Sequence, residues 1–162
     1  FPQFSAGQAL VSIRAMGIIA VIDMQTAKVV WAYRGFWSFQ HAASFLPNGN
    51  IMLLDNQGHV EHKKKWSRVI ELNPRTLGVE WAYLDTQKHP FVTEKVGRLQ
   101  RLPNGNTLIA DSQHARIFEV TKDGEIVWNY QLTKKLSEKE YGEAIFNATR
   151  YTAEQLPFLQ SQ

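Results

Sequence analysis

The chain of 162 residues is long enough for one packed domain, with 44% hydrophobic and 12% aromatic residues. Its 18 basic and 15 acidic residues leave a formal net charge of +3, which is too small to indicate a nucleic acid or an anionic membrane as partner. The lack of cysteine excludes disulfides and thiol chemistry, and no apolar stretch approaches the ~20 residues that span a bilayer.

The first regular pattern along the chain is a strand that carries tryptophan. It reads VVWAY at 29–33, and related segments follow as VEWAY at 79–83 and IVWNY at 126–130. In each segment an apolar residue, a tryptophan and a tyrosine are two positions apart, which places all three on one face of a strand. The strand-and-turn segments AVIDMQTAK, RVIELNPRTLG and RIFEVTKDGE precede these strands. The sequence therefore predicts three copies of one β-layer.

A second pattern is the turn LPNGN, which occurs at 46–50 and again at 102–106. Proline pre-sets the first turn position, and Gly49 and Gly105 can adopt the positive φ of a tight hairpin. Each copy opens an apolar run that ends in an aspartate, Asp55 or Asp111. We expect these carboxylates to anchor turns through side-chain hydrogen bonds.

The spacing of the tryptophans, about 50 residues, indicates the fold class. Units of this length with about four short strands each are typical of β-propeller blades, so we predict an all-β propeller portion of about three four-stranded antiparallel blades. A β-sandwich with similar hairpins is the alternative. Propellers need four to eight blades to close, so we expect upstream blades of the same protein or other chains to complete the ring.

Residues at which the two copies differ are the candidates for chemistry. Aligning the LPNGN turns places His41 opposite Gly97, at the start of a strand that could lie near the central channel. His114 likewise replaces Gly58 after the second strand. Histidine suits proton transfer or nucleophilic attack near neutral pH, although a half-buried histidine bonded to a neighbouring blade is the alternative for His41.

Arginines and an insertion complete the candidates. Arg68 and Arg116 precede the same strand in the two copies, which favours a structural role, yet the guanidinium of Arg68 could also hold a sulfate, phosphate or carboxylate. The first copy carries an insertion, GHVEHKKKWS at 58–67. Its histidines, His59 and His62, are too isolated to indicate a metal site, and we expect a solvated loop. His89 precedes a proline, which favours a surface loop.

The pattern ends at about residue 131. We predict propeller blades over 1–130 and a partly helical extension over 131–162 that packs on the blades. Within the extension, SEKE at 137–140 and TAEQ at 152–155 fit the start of short helices or turns, and Pro157 would end the second one.

The runs QHAASFLPNGNIMLLDNQG, SRVIELNPRTLGVEWAY and GRLQRLPNGNTLIADSQHARIFEVTKDGEIVWNY resemble the C-terminal half of the arylsulfotransferase (aryl-sulfate sulfotransferase) family. The resemblance covers about residues 18–151. It implies a six-bladed propeller, often periplasmic or secreted, that moves a sulfuryl group between phenolic compounds without a nucleotide cofactor. It further implies a histidine nucleophile, with other histidines and an arginine acting on the leaving oxygen and the sulfate charge.

The resemblance assigns roles to three residues. His41 matches the family's histidine ahead of the turn and Arg68 matches an arginine at a strand start, while His114 is a candidate nucleophile without a firm match. Ala42 and Ala43 follow His41 where many members have an acidic residue. We therefore keep two hypotheses. The first is an arylsulfotransferase-like enzyme that acts on a phenolic or sulfate ester substrate, with His41 as acid, base or sulfate contact, Arg68 for the anion and His114 as a candidate nucleophile. The second is a non-catalytic propeller that serves as a binding or structural scaffold.

Overall fold

The computed structural model describes residues 4–61, 64–84, 91–132 and 145–160. The regular elements in this part of the chain are eleven strands and two 3-10 helices, at Arg14–Met16 and Pro157–Gln160. The strands are β1 (Gln8–Ile13), β2 (Ile18–Asp23), β3 (Lys28–Arg34), β4 (His41–Phe45), β5 (Ile51–Glu61), β6 (Lys64–Leu72), β7 (Val79–Tyr83), β8 (Arg98–Arg101), β9 (Thr107–Asp111), β10 (Arg116–Val120) and β11 (Ile126–Gln131).

These strands form three antiparallel sheets in the described ranges. The first sheet has the order β1-β2-β3, the second β4-β5-β6-β7 and the third β8-β9-β10-β11. Each strand pairs with its neighbour in the chain, as in the blades of a propeller. The predicted all-β fold with antiparallel blades is confirmed, and two of the three described sheets have the predicted four strands while the first has three.

The core lies between the sheets. One cluster joins the first and second sheets and includes Ile19, Ile51 and Leu53, and the other joins the second and third and includes Met52 and Leu54. Because successive side chains of a strand point to opposite faces, the apolar run of β5 serves both clusters. The middle sheet is therefore buried on both faces.

The two LPNGN turns form the predicted hairpins. Gly49 and Gly105 have φ of 80° and 87°. The amide of Leu46 bonds the carbonyl of Asn50 at 2.8 Å, and Leu102 bonds Asn106 at the same distance. Positive φ at both glycines is what lets these chains reverse so tightly.

Each turn also holds a buried glutamate of the same sheet. Asn48 and Asn50 donate their side-chain amides to Oε1 of Glu71 at 2.9 and 2.8 Å. In the third sheet the equivalent asparagines bond Glu119 at 3.2 and 2.7 Å. These hydrogen bonds hold the pKa of Glu119 below its ordinary value, and the bond from Asn106 has the largest effect. The repeated turn thus reverses the chain and also donates side-chain hydrogen bonds to a buried carboxylate.

An arginine from outside the sheet completes each group, which we call the glutamate clasp. Nη2 of Arg101, on β8 of the third sheet, lies 2.8 Å from Oε2 of Glu71 in the second sheet. Its guanidinium also stacks over Trp81, at 4.8 Å from the ring centroid. The clasp therefore connects neighbouring sheets by a charge-assisted hydrogen bond.

Arg150 forms the corresponding salt bridge in the third sheet. Its Nη1 lies 2.6 Å from Oε2 of Glu119, and the side chain of Gln100 bonds its backbone nitrogen and oxygen at 2.8 and 2.9 Å. This segment lies against the face of the third sheet that carries Trp128, whose side chain stays 48% exposed. Toward the third sheet, Arg150 takes the role that Arg101 takes toward the second.

Two sequence predictions need adjustment. The insertion at 58–67 is not simply a solvated loop, because β5 and β6 extend into it as a long hairpin and Ser67 is fully buried. At 152–155 the chain forms a turn, with the side chain of Gln155 accepting from the Thr152 amide at 2.9 Å, and Pro157 begins a 3-10 helix rather than ending one. The predicted helix start at 137–140 lies outside the described residues.

Removal of the clasp carboxylate tests its contribution to stability. We expect Glu71→Ala to lower the free energy of unfolding by about 3 kcal/mol, because it leaves a largely buried arginine and two amides without their acceptor. Urea denaturation monitored by tryptophan fluorescence measures the change. The matched control is Glu80→Ala on β7, an exposed glutamate whose hydrogen bond among the described residues is to Asn73, and it should stay within about 0.5 kcal/mol of wild type. Equal effects of the two substitutions would contradict this role.

Candidate functional site

The candidate residues lie at the sheet edge opposite the LPNGN turns. His41 begins β4, and Arg68 on β6 pairs with Asp55 near the end of the regular part of β5. In the third sheet, His114 follows β9 and Arg116 begins β10. Because neighbouring strands are antiparallel, these strand starts and ends meet at one edge.

The segment around His41 is strained on both sides. Phe39 and Ala42 have φ of 56° and 54°, in the left-handed region. Such residues cost about 1–3 kcal/mol each and persist where the surrounding structure fixes them. Between them, fully buried Gln40 donates to the carbonyl of Ile18 at 3.0 Å and to Ser12 Oγ at 3.2 Å. The backbone at His41 is thus held firmly in place.

Ala42 also shifts the register of β4. The pairing with β5 is irregular between His41 and Ser44, and His41 lies opposite Leu54. In the third sheet, Arg98 lies opposite Ala110, the residue equivalent to Leu54. The bulge therefore moves His41 into the position of Arg98 and not that of Gly97, where the aligned turns had placed it.

The imidazole of His41 bonds a buried amide. Its Nδ1 lies 2.8 Å from Oδ1 of Asn56, which is 1% exposed. Nδ2 of Asn56 donates to the carbonyls of Thr93 at 2.6 Å and Val96 at 2.9 Å. The sequence interpretation missed Asn56, although its difference from Ser112 in the other copy was a usable signal.

Asp55 organises the neighbouring part of the edge. Its Oδ1 accepts from the amides of Ser38 and Gly58 at 2.9 and 2.8 Å, as expected for a turn anchor. Gly58 is required here because a Cβ would lie 2.2 Å from Oδ2 of Asp55. That oxygen accepts from Nε of Arg68 at 2.8 Å, and Phe36 lies under the guanidinium at 5.0 Å. Arg68 therefore has a structural partner, while its Nη atoms make no hydrogen bond within the described ranges.

The third sheet uses a different pair. Asp111 bonds Nδ1 of His114 at 2.9 Å, whereas Arg116 donates to Asn129 at 2.5 Å. Burial raises the pKa of Asp111 above its ordinary value, and the bond and charge of His114 oppose that rise. The side chain of His114 is 50% exposed. Histidine thus replaces arginine as the partner of the recurring aspartate.

A buried polar network connects the two sheets at this edge. The amide of Thr93 donates to Ser67 Oγ at 2.8 Å, and Thr93 Oγ1 lies 3.1 Å from Ser112 Oγ. Thr93 also accepts from the side chain of Asn56, and Ser112 adjoins Asp111. Among the described residues, His41 joins this network by a hydrogen bond to Asn56. Arg68 and His114 lie beside it, because their partners Asp55 and Asp111 directly precede Asn56 and Ser112 in the chain.

Of the remaining histidines, the structure describes one, His59, and it lies outside this network. His59 packs on Trp66 with a centroid distance of 6.1 Å, and His62 and His89 lie outside the described residues. Among the residues that the structure places, no three histidine, aspartate or glutamate side chains gather where they could hold a metal ion. In the same part of the chain, no helix has the length and apolarity to cross a membrane.

The raised pKa of Asp111 makes stability depend on pH. Its folded-state pKa lies above the unfolded value near 3.8, so the folded state binds more protons in that window and loses stability as the pH rises through the folded pKa. We expect Asp111→Asn, which keeps an acceptor for His114, to raise the melting temperature at pH 7 relative to wild type and to have less effect at pH 4. Thermal melts across this range measure the difference. A larger gain at pH 4 than at pH 7 would contradict it.

The chain resembles solved structures of other proteins at the level of the fold. It is similar to the WD40 β-propeller domain of Doa1, with a TM-score of 0.57 and 18% identity, over 80% of this chain and 38% of that one. BamB from Moraxella catarrhalis matches with a TM-score of 0.50 and 14% identity, over 82% of this chain and 35% of that one. The chain thus spans well under half of each of these proteins.

No curated protein matches the sequence. The family model of arylsulfotransferase (ASST), however, matches residues 1–133, which is more than half of the chain. This match agrees with the blade topology, and the chain therefore belongs to the arylsulfotransferase family.

Proposed function

We propose that this chain forms part of a nucleotide-independent sulfotransferase that moves a sulfuryl group from a phenolic sulfate ester to another phenol through a histidine intermediate. Family membership supports the reaction class. The observation that carries the proposal is the placement of His41, which is half-buried, flanked by strained residues and bonded through Nδ1 to a buried amide. Strain of this kind concentrates at functional sites.

In the first step, Nε2 of His41 attacks the sulfur of the donor. The new N–S bond forms as the S–O bond to the donor phenol breaks, and the phenolate leaves with the bonding pair. In the second step, the acceptor phenol oxygen attacks the sulfur, the N–S bond breaks, and the acceptor proton passes to a base. Splitting the transfer in this way replaces one difficult displacement with two easier ones.

Two further residues have roles in this proposal. Nδ1 of His114 lies 2.9 Å from the carboxylate of Asp111, which orients the ring, so we assign His114 to proton exchange with the phenol oxygens rather than to the role of nucleophile. The Nη atoms of Arg68 would contact the sulfuryl oxygens, since Nε is held by Asp55. Further blades would complete the ring around the central channel. The family resemblance suggests a periplasmic or secreted protein.

The second candidate is a non-catalytic propeller that serves as a scaffold. Arg68 favours it, because a guanidinium bonded to a fully buried aspartate and stacked on Phe36 already has a structural function. Ala42 and Ala43, which follow His41 where many family members carry an acidic residue, also favour it.

An assay with 4-nitrophenyl sulfate and phenol tests the enzyme on the full-length protein. We expect nitrophenolate release, a decrease of at least about 100-fold in His41→Ala, and a sulfuryl adduct on the His41 peptide in mass spectrometry without acceptor. The matched control is His59→Ala, which removes a histidine of the same sheet that stacks on Trp66, and it should keep wild-type rates. Absence of release at every pH tried, or an adduct on the His114 peptide, would contradict the proposal as stated.

A further inference from the structure

We infer that Asn56 is a positioning residue that holds neutral His41 in the Nδ1–H tautomer and leaves the Nε2 lone pair open. The tautomer follows from hydrogen-bond geometry alone. Its importance for catalysis rests on the proposed function.

The orientation of the Asn56 amide is determined by its surroundings. One end of the amide lies 2.6 Å from the carbonyl oxygen of Thr93 and 2.9 Å from that of Val96. Both oxygens can only accept, so the NH2 group must occupy this end; an oxygen there would face two lone pairs. The side chain is buried, so bulk water offers no alternative partners.

The tautomer of His41 follows from that orientation. The other end of the amide, Oδ1, can only accept a hydrogen bond, and it lies 2.8 Å from Nδ1 of His41. Nδ1 must therefore carry the proton. A neutral imidazole has a single N–H, so Nε2 is unprotonated, and it makes no hydrogen bond within the described residues.

The carbonyls that orient Asn56 are themselves fixed. Val96 is a β-branched residue with φ of 62°, an outlier that only a rigid surrounding sustains. Thr93 is fully buried, and its amide bonds Ser67 Oγ at 2.8 Å. Ser67 lies in turn 2.8 Å from the backbone oxygen of Asn56. The loop before β8 thus acts as a template for the amide.

The third sheet provides an internal comparison. Ser112 stands in the position of Asn56, and Arg98 stands in the position of His41. Ser112 bonds Thr93 and the carbonyl of Lys95 rather than a ring. Of these two sheets, only the one that has the histidine has the asparagine.

This arrangement has a chemical consequence for the transfer. When Nε2 forms the bond to sulfur, the ring becomes a cation that still carries the Nδ1 proton, and Oδ1 of Asn56 continues to accept it. When the sulfuryl group leaves for the acceptor, the ring returns to the neutral Nδ1–H form. No proton has to enter or leave His41 during the cycle.

The direct test is ¹⁵N NMR of the histidine ring nitrogens in the uniformly labelled full-length protein above neutral pH. We expect the His41 signals to show a protonated, pyrrole-like Nδ1 and an unprotonated, pyridine-like Nε2. Protonated Nε2 with bare Nδ1 would overturn the inference without any variant. This readout needs no turnover, so it stands apart from failure of the proposed function.

Variants then test whether Asn56 is the cause. Asn56→Ala and Asn56→Ser should shift neutral His41 toward the Nε2–H form that dominates in free histidine, and lower kcat at least about tenfold with little change in KM. The control Ser112→Ala removes the hydrogen bond between Ser112 and Thr93 in the same network, and it should leave the tautomer of His41 unchanged. A loss of activity in the Asn56 variants with the tautomer unchanged would show a merely structural role and overturn the inference.

Discussion

The buried carboxylate of Glu71 is the constraint on which the packing of the blades depends. A carboxylate in a sheet interior is unfavourable unless donors surround it. Two asparagines of the LPNGN turn provide donors from within the sheet, and Arg101 provides one from the next sheet. Because the donors come from the same sheet and from the next one, this carboxylate stabilises both a hairpin and the contact between two blades. In the third sheet, Glu119 repeats the arrangement with Arg150 as the outer arm.

The opposite edge of the sheets is also stabilised by hydrogen bonds to buried carboxylates. There Asp55 and Asp111 accept hydrogen bonds from turns, and a network through Thr93 joins the second and third sheets. Four non-glycine residues in the left-handed region, Phe39, Ala42, Val96 and Ala115, lie along this edge. The turn end thus combines hairpins with charge-assisted bonds and has two residues of this kind, Ala27 and Leu77, in its turns. The opposite end combines four of them with a buried polar network. This division is consistent with the proposed function, which assigns the chemistry to the end that contains most of the strained residues.

The sequence predicted the blades correctly because the patterns that define their strands and turns are local. Alternation in VEWAY and the proline and glycine of LPNGN act within a few residues, and both predicted the observed strands and hairpins. The sequence indicated His41 and His114 as differences between the copies and Arg68 as an arginine that both copies share, but it did not indicate their partners. The bulge at Ala42 and the strain at Val96 have no local cause, since neither residue favours positive φ. The second function of the turn asparagines was hidden because Glu71 lies more than 20 residues away in the chain.

By itself, the sequence determined the strand pattern, the turn positions, the all-β class and the resemblance to arylsulfotransferases. These properties depend on residue types and short spacings, which the chain carries before it folds. Only the tertiary structure decided that Arg68 pairs with Asp55, that His114 takes the arginine's place beside Asp111, and that Asn56 meets the ring of His41. Such contacts depend on which strands become neighbours and on the register they adopt. A single bulge changes that register by one residue and so changes which side chains meet.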